Sequence, residues 1–241
     1  MPVNIVIHDK RIPRAYIEAL EKKLPEAVFM PFSHDAPQVY GSIAHHPDIY
    51  FFQADKDMLV HSPDVDKTFL ERLTDFGIKL VRGYRSPYGK YPSTALYNAA
   101  RVGKNIFLNI ESVDRAVLET ARGKGLTLVD VTQGYTRCSV LSVGEKAIIT
   151  SDRKIAAEAL DKGLDVFEVS PYPVLLPGET HGFIGGAGGS SPGGEVILLG
   201  DAGLHPQGAE IKDFISVNSA GCVLAETLPL YDAGSLVICG V

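Results

Sequence analysis

Short, nearly continuous apolar runs recur along the chain. Each ends on an acidic residue and leads through a helical pattern, and in four of the five copies a glycine, into a second apolar run. NIVIHD (Asn4 to Asp9) leads through IPRAYIEALEKKL to AVFM, without the glycine, and DIYFFQAD (Asp48 to Asp55) leads through SPDVDKTFLERLTDF and Gly77 to IKLV. NIFLNIE (Asn105 to Glu111) leads through SVDRAVLETARGK and Gly125 to LTLVDV. AIIT, ending at Ser151-Asp152, leads through RKIAAEALDK and Gly163 to VFEV, and EVILLGD (Glu195 to Asp201) leads through HPQGAEIKDFI and Gly221 to CVLA. A spacing of roughly 40–60 residues falls within the range of repeat architectures.

An apolar run without alternation is expected of a strand covered on both faces. Helical spacing is carried by Phe69, Leu70, Leu73 and Phe76, by Val113, Ala116, Val117 and Thr120, and by Ile155, Ala156, Ala159 and Leu160. Ser62, Ser112 and Ser151 or Asp152 are the expected N-caps, Pro63 the expected first helical residue, and Gly77, Gly125 and Gly163 the helix stops. A helix returning the chain makes the flanking strands of each copy parallel. Further short segments, QVYGSIA (38–44), GYTRCSVL (134–141) and THGFIGG (180–186), lie between copies and predict an added hairpin strand in each. An open doubly wound sheet does not need that strand, whereas a closed ring of small mixed sheets accommodates it. The expected fold is therefore an α/β-propeller of five pseudo-symmetric ββαβ repeats around a central cavity. It forms a single domain with approximate repeats 1–47, 48–104, 105–146, 147–194 and 195–241.

Composition narrows the classes. The 241 residues carry a net charge of −6 with no basic stripe, which argues against nucleic acid or an anionic membrane as partner. No apolar run reaches spanning length, and the N-terminus lacks a charged leader followed by a long apolar core. Cys138, Cys222 and Cys239 are odd in number and widely spaced, which fits reduced thiols in a cytoplasmic protein and neither a disulfide scaffold nor a CxxC metal site. No cofactor is expected, and oligomeric state is not legible.

The repeat, with GYTRCSVL, THGFIGGAGG and GDAGLHPQGAEI, resembles the pentein fold of guanidino-group-modifying enzymes such as deiminases, dimethylarginine hydrolases and amidinotransferases. It is closer still to an uncharacterised bacterial family assigned to that fold. The resemblance covers the chain from about Tyr50 and is strongest between Gly134 and Asp232. It implies a ligand site in the central cavity, with a cysteine nucleophile near the C-terminus, a histidine for proton transfer and carboxylates gripping a planar cation. Two motifs depart from that pattern. In LPLYDAGSLVICGV, Ser235 holds roughly the nucleophile's place and Cys239 lies inside an apolar strand; in GFIGGAGG, Ala187 stands where a carboxylate is expected.

Cys138 follows Arg137 at the mouth of an inner strand. It is read either as a buried structural cysteine or as a thiol activated by the adjacent guanidinium, with His181 and His205 as candidate proton-transfer groups. Asp9, Asp55, Glu111, Asp152 and Asp201 close the first strand of each copy. They are expected at one end of the ring, as helix caps or as a cation-binding rim. Asp55, Arg137, Asp152, Asp201 and Asp232 are the candidate substrate-binding residues, and Asp201 with His205 suits proton transfer or metal ligation. The glycine-rich stretch 185–194 lacks the Lys-Ser/Thr ending of a phosphate loop and is expected to be a hairpin tip or lid. His34, His45 and His46 near Asp35 and Asp48 match no strong metal motif, and no metal is expected. The tyrosine-rich loop 82–94 is expected in solvent or over the cavity mouth. Two functions follow: an enzyme acting on a guanidino or amino small molecule through a non-standard site, or a catalytically inactive pentein that binds a small molecule or a protein.

Overall fold

A computed structural model describes residues 4–240. In blade one, β1 (Asn4–Asp9) runs through α1 (Arg14–Lys23) to the parallel strand β2 (Val28–Phe32). Blade two opens with the short turn α2 (Pro47–Tyr50) and contains β3 (Phe51–Asp55), β4 (Met58–His61), α3 (Lys67–Asp75) and β5 (Lys79–Arg82). Blade three contains β6 (Ala100–Val102), β7 (Asn105–Leu108), α4 (Arg115–Gly123) and β8 (Thr127–Asp130). Blade four opens with the turn α5 (Thr136–Ser139), followed by β9 (Val140–Val143), β10 (Ala147–Thr150), α6 (Arg153–Asp161) and β11 (Asp165–Glu168). Blade five contains β12 (Gly188–Ser190), β13 (Glu195–Leu198), α7 (Gly208–Asn218) and β14 (Gly221–Leu224). The last strand, β15 (Val237–Gly240), returns to pair antiparallel with β1 and closes the ring.

Each of the five sheets has an inner strand antiparallel to the middle one and an outer strand parallel to it. Ring closure explains the unbroken apolar runs. Alternate side chains of a middle strand point to opposite faces, so they enter two different inter-blade cores. Ile5 and Ile7 pack toward blade two while Val6 packs toward blade five. Likewise Leu59 and Val60, Ile106 and Phe107, Ile149 and Ile148, and Val196 and Ile197 divide between successive cores.

The structure corrects several local expectations. DIYFFQAD holds the inner strand β3 and not the middle one; MLVH is the middle strand, reached by a tight turn at Lys56-Asp57. Inner strands begin after QVYGSIA and THGFIGG, and only the end of GYTRCSVL is strand. Gly188–Ser190, expected in a hairpin tip or lid, is the buried inner strand β12. Glycine is required there because a Cβ on Gly189 would lie 2.3 Å from the Leu236 carbonyl oxygen. The caps of α3, α4 and α6 are Asp66, Asp114 and Asp152, whose side chains accept from Phe69, Ala116 and both Lys154 and Ile155, so Ser62 and Ser112 do not cap and Pro63 precedes its helix.

Candidate functional site

The turn before each inner strand points at the axis, and those of blades two, three, four, five and one bring Asp48, Asn98, Cys138, Gly186 and Ser235 together. The Cys138 thiol donates to Asp48 Oδ2 at 2.9 Å, and Asn98 Nδ2 donates to Cys138 Sγ at 3.3 Å. Asn98 Oδ1 in turn accepts from the Arg137 and Cys138 amides. Ser235 Oγ lies 2.8 Å from Asp48 Oδ2, and the Gly186 amide donates to the Cys138 carbonyl at 3.0 Å. Ser235 adopts φ 68°, a left-handed conformation costing a non-glycine residue about 1 kcal/mol, as functional sites often tolerate. Gly186 leaves room for a carboxylate, since a Cβ there would stand 2.0 Å from Asp232 Oδ1.

Cys138 forms part of the floor of a cavity of about 400 Å3, whose walls include Tyr40, Tyr135, His181, Phe183 and Asp232, with the exposed Glu179 at its rim. A second chamber of about 300 Å3 shares Ser42, His46, Leu176 and Asp232 with the first and adds Asp9, Arg11 and Tyr231. His46 is 3% exposed; its Nε2 lies 4.0 Å from Asp9 Oδ2 and its Nδ1 has no hydrogen-bond partner. Asp48 Oδ1 is likewise buried without a partner. The carboxylate that receives the thiol thus keeps one oxygen unpartnered, and His46, in the wall of the same cavity, keeps one nitrogen.

Burial pushes the Cys138 thiol well above its ordinary range, and the charges of Asp48 and Asp232 push the same way. Activation by Arg137, one of the two readings of this cysteine, does not set its pKa; burial and two carboxylates do. Arg137 is spent elsewhere. Its Nη1 donates to the Val140 and Gly185 carbonyls at 3.2 and 3.1 Å, and its Nη2 to those of Gly188 and Leu236 at 3.2 and 3.4 Å. Burial also raises the Asp232 pKa, against the opposing pull of His46 and of the Gly234 and Phe183 amides.

The other candidates separate. His181 lines the cavity, with Nδ1 2.9 Å from the Gly182 carbonyl oxygen. His205 does not reach it: its Nε2 lies 3.1 Å from the Ser170 carbonyl oxygen and its Nδ1 accepts from the Gln207 amide. Asp152 caps α6, while Asp201 accepts from the Gly203 amide and pairs with Lys212 at 2.9 Å, so neither stands at the cavity with Cys138. Asp55 ends an inner strand antiparallel to its middle strand and so lies at the opposite mouth, in a pocket of about 290 Å3. There, against the cost of burial, hydrogen bonds from Lys124 and the Lys56 amide and the pairing with Arg101 lower its pKa to about 2. The expected rim of five acids is thus divided between two ends and the helix caps. Glu111 is exposed, and Cys239 is buried within β15 with its thiol pushed up to about 12. Among the described residues, no group of three His, Cys, Asp or Glu side chains is placed to hold a metal ion. No helix among them is long and apolar enough to cross a membrane.

The sequence reading missed Asn98 as a site residue, and weighed His46 and Asp48 only as part of a metal cluster. The only local signal was HPD, in which Pro47 starts the turn α2 that turns Asp48 inward.

One solved structure similar to the chain is SxtG, an amidinotransferase from Microseira wollei in the saxitoxin biosynthetic pathway. It shares 9% identity over 94% of this chain and 88% of that one, with a TM-score of 0.55. Another is the inosamine-phosphate amidinotransferase StrB1 from Streptomyces griseus, at 8% identity over 93% of this chain and 78% of that one, with a TM-score of 0.52. At such identities the likeness shows the fold alone, which is that of the penteins. No curated protein sequence matches the chain. The model of a family of unknown function, DUF6873, matches residues 7–237, and the chain therefore belongs to that family.

Proposed function

We propose that the chain is a thiol-dependent enzyme acting on the C–N bond of a guanidinium or amidinium compound, with Cys138 as nucleophile. The observation that carries this is the Cys138 thiol on the floor of the axial cavity, hydrogen-bonded to Asp48. Cys138 is neutral at rest. A planar cation bound above it offsets the two carboxylates and favours the thiolate, so the substrate's own charge activates the nucleophile. The thiol proton passes to Asp48 Oδ2 as Sγ bonds to the central carbon and the C=N electron pair moves to nitrogen. Collapse of the tetrahedral adduct breaks a C–N bond, and the departing amine takes the proton that Asp48 received. Water or a second amine then adds to the resulting isothiouronium carbon and gives a proton to Asp48; the second adduct breaks its C–S bond, and the leaving sulfur takes that proton back from Asp48.

A second reading is a noncatalytic module that holds the same cation. It is favoured by Cys138 having Asp48 and Asn98, and no imidazole, as its side-chain partners.

Labelling of the native protein with an amidine-bearing thiol electrophile, mapped by mass spectrometry, separates the two. Covalent chemistry predicts that Cys138 is modified ahead of the exposed Cys222, and that guanidine slows the reaction. Modification of Cys222 with Cys138 untouched supports the binding module and removes the thiol mechanism.

A further inference from the structure

We infer that the ligand of the axial cavity is a cation without a carboxylate: a guanidinium or amidinium whose remainder is neutral or carries a second positive charge. This rests on the cation site proposed above and concerns the rest of the ligand.

The two chambers share His46 and Asp232 in their walls, so the remainder of a ligand whose reacting group sits over Cys138 lies beside the second chamber. The acidic side chains lining the two chambers are Asp9, Asp232 and, at the rim, Glu179, against one permanently cationic side chain, Arg11. Arg11 is already committed. Its Nε and Nη2 donate to the Asp9 carboxylate at 3.1 and 2.6 Å, its Nη1 to the Gly41 carbonyl at 2.6 Å, and its Nη2 also to the Ser42 carbonyl at 3.0 Å. Two of those partners are backbone oxygens of the chamber wall, so freeing the guanidinium for a ligand would leave carbonyls unpaired. Among the described lining residues, then, no permanent cation is free to receive a carboxylate. One placed here would meet like charge in a partly desolvated space.

Acidic lining alone would not make a site. The second observation is His46, 3% exposed, bordering both chambers, with Nδ1 unpartnered. With Nε2 4.0 Å from Asp9 Oδ2, Nδ1 is the ring nitrogen left for an ammonium or guanidinium N–H at the wall the chambers share. Ser42, shared by both chambers, donates to Glu179 Oε1 at 2.7 Å, which fixes a carboxylate on the rim of the Cys138 chamber next to the shared wall.

Isothermal titration with three probes tests this: guanidinium ion, 4-aminobutylguanidine and arginine, the last two differing by one carboxylate. The expected result is that 4-aminobutylguanidine binds at least about tenfold more tightly than arginine, the size of effect a single like-charge contact gives. In Glu179→Lys, a charge reversal at an exposed position, that gap narrows or inverts. If guanidinium ion binds but arginine equals or exceeds 4-aminobutylguanidine, the charge selection is wrong and the cation site stands. If none of the three binds, the cation site itself is wrong, and the selection falls with it.

Discussion

Arg137→Met is expected to destabilise the fold by roughly 3–5 kcal/mol, the cost of taking a charge-assisted donor from several buried carbonyl oxygens at about 1–3 kcal/mol each. At about 2–4 °C per kcal/mol for a chain of this size, the melting temperature should fall by roughly 10 °C or more. The guanidinium ties the Val140 carbonyl of blade four to those of Gly185 and Gly188 leading into blade five, and to that of Leu236 before the closing strand. Methionine fills similar volume but leaves four carbonyl oxygens without this donor. Arg137→Lys should recover only part of the loss, because a point charge cannot serve four acceptors arranged for a planar fork. Thermal unfolding of the three proteins measures this, and a methionine variant as stable as wild type would show that the axis is held by packing alone. Arg137 had been a candidate substrate-binding residue; its geometry makes it the strut beneath the site.

Asp48→Asn should move two readouts in opposite directions. The carboxylate raises the Cys138 pKa, so removing its charge lowers that pKa, and modification by a neutral alkylating agent between about pH 7 and 9 becomes faster. Turnover of a guanidinium substrate should instead fall by about 10^2–10^4, because the variant loses the base that takes the thiol proton and an anion that attracts the substrate. Rates of alkylation against pH, alongside turnover, test both signs. A general disruption of the site would slow both reactions, whereas unchanged alkylation would mean that the Asp48–Cys138 contact at 2.9 Å carries little electrostatic weight.

The ring was legible in the sequence because every middle strand lies between two inter-blade cores, which writes an unbroken apolar run into the chain. The inner strands were harder to see. Gly188–Ser190 has no hydrophobic signal because the backbone of the neighbouring strand approaches too closely for side chains. Ala100–Val102 is three residues long, and MLVH follows β3 across a turn so short that the two read as one element with its loop. Of the site, Cys138, His181 and Asp232 were named from residue type and motif. Asp48 was not, because its role depends on contacts 90 and 187 residues away along the chain, to Cys138 and Ser235. Only closure of the ring brings these together. His46 was read as one of a histidine-rich loop; what distinguishes it is burial against two chambers, which no local pattern encodes.

The most direct measurement is amine or ammonia release from a panel of carboxylate-free guanidines and amidines by the wild type and by Cys138→Ala. The expected result is release by the wild type and only background from the variant, with 4-aminobutylguanidine-like cations preferred. Equal release by both proteins, or none by the wild type from any member of the panel, would contradict a thiol enzyme centred on Cys138.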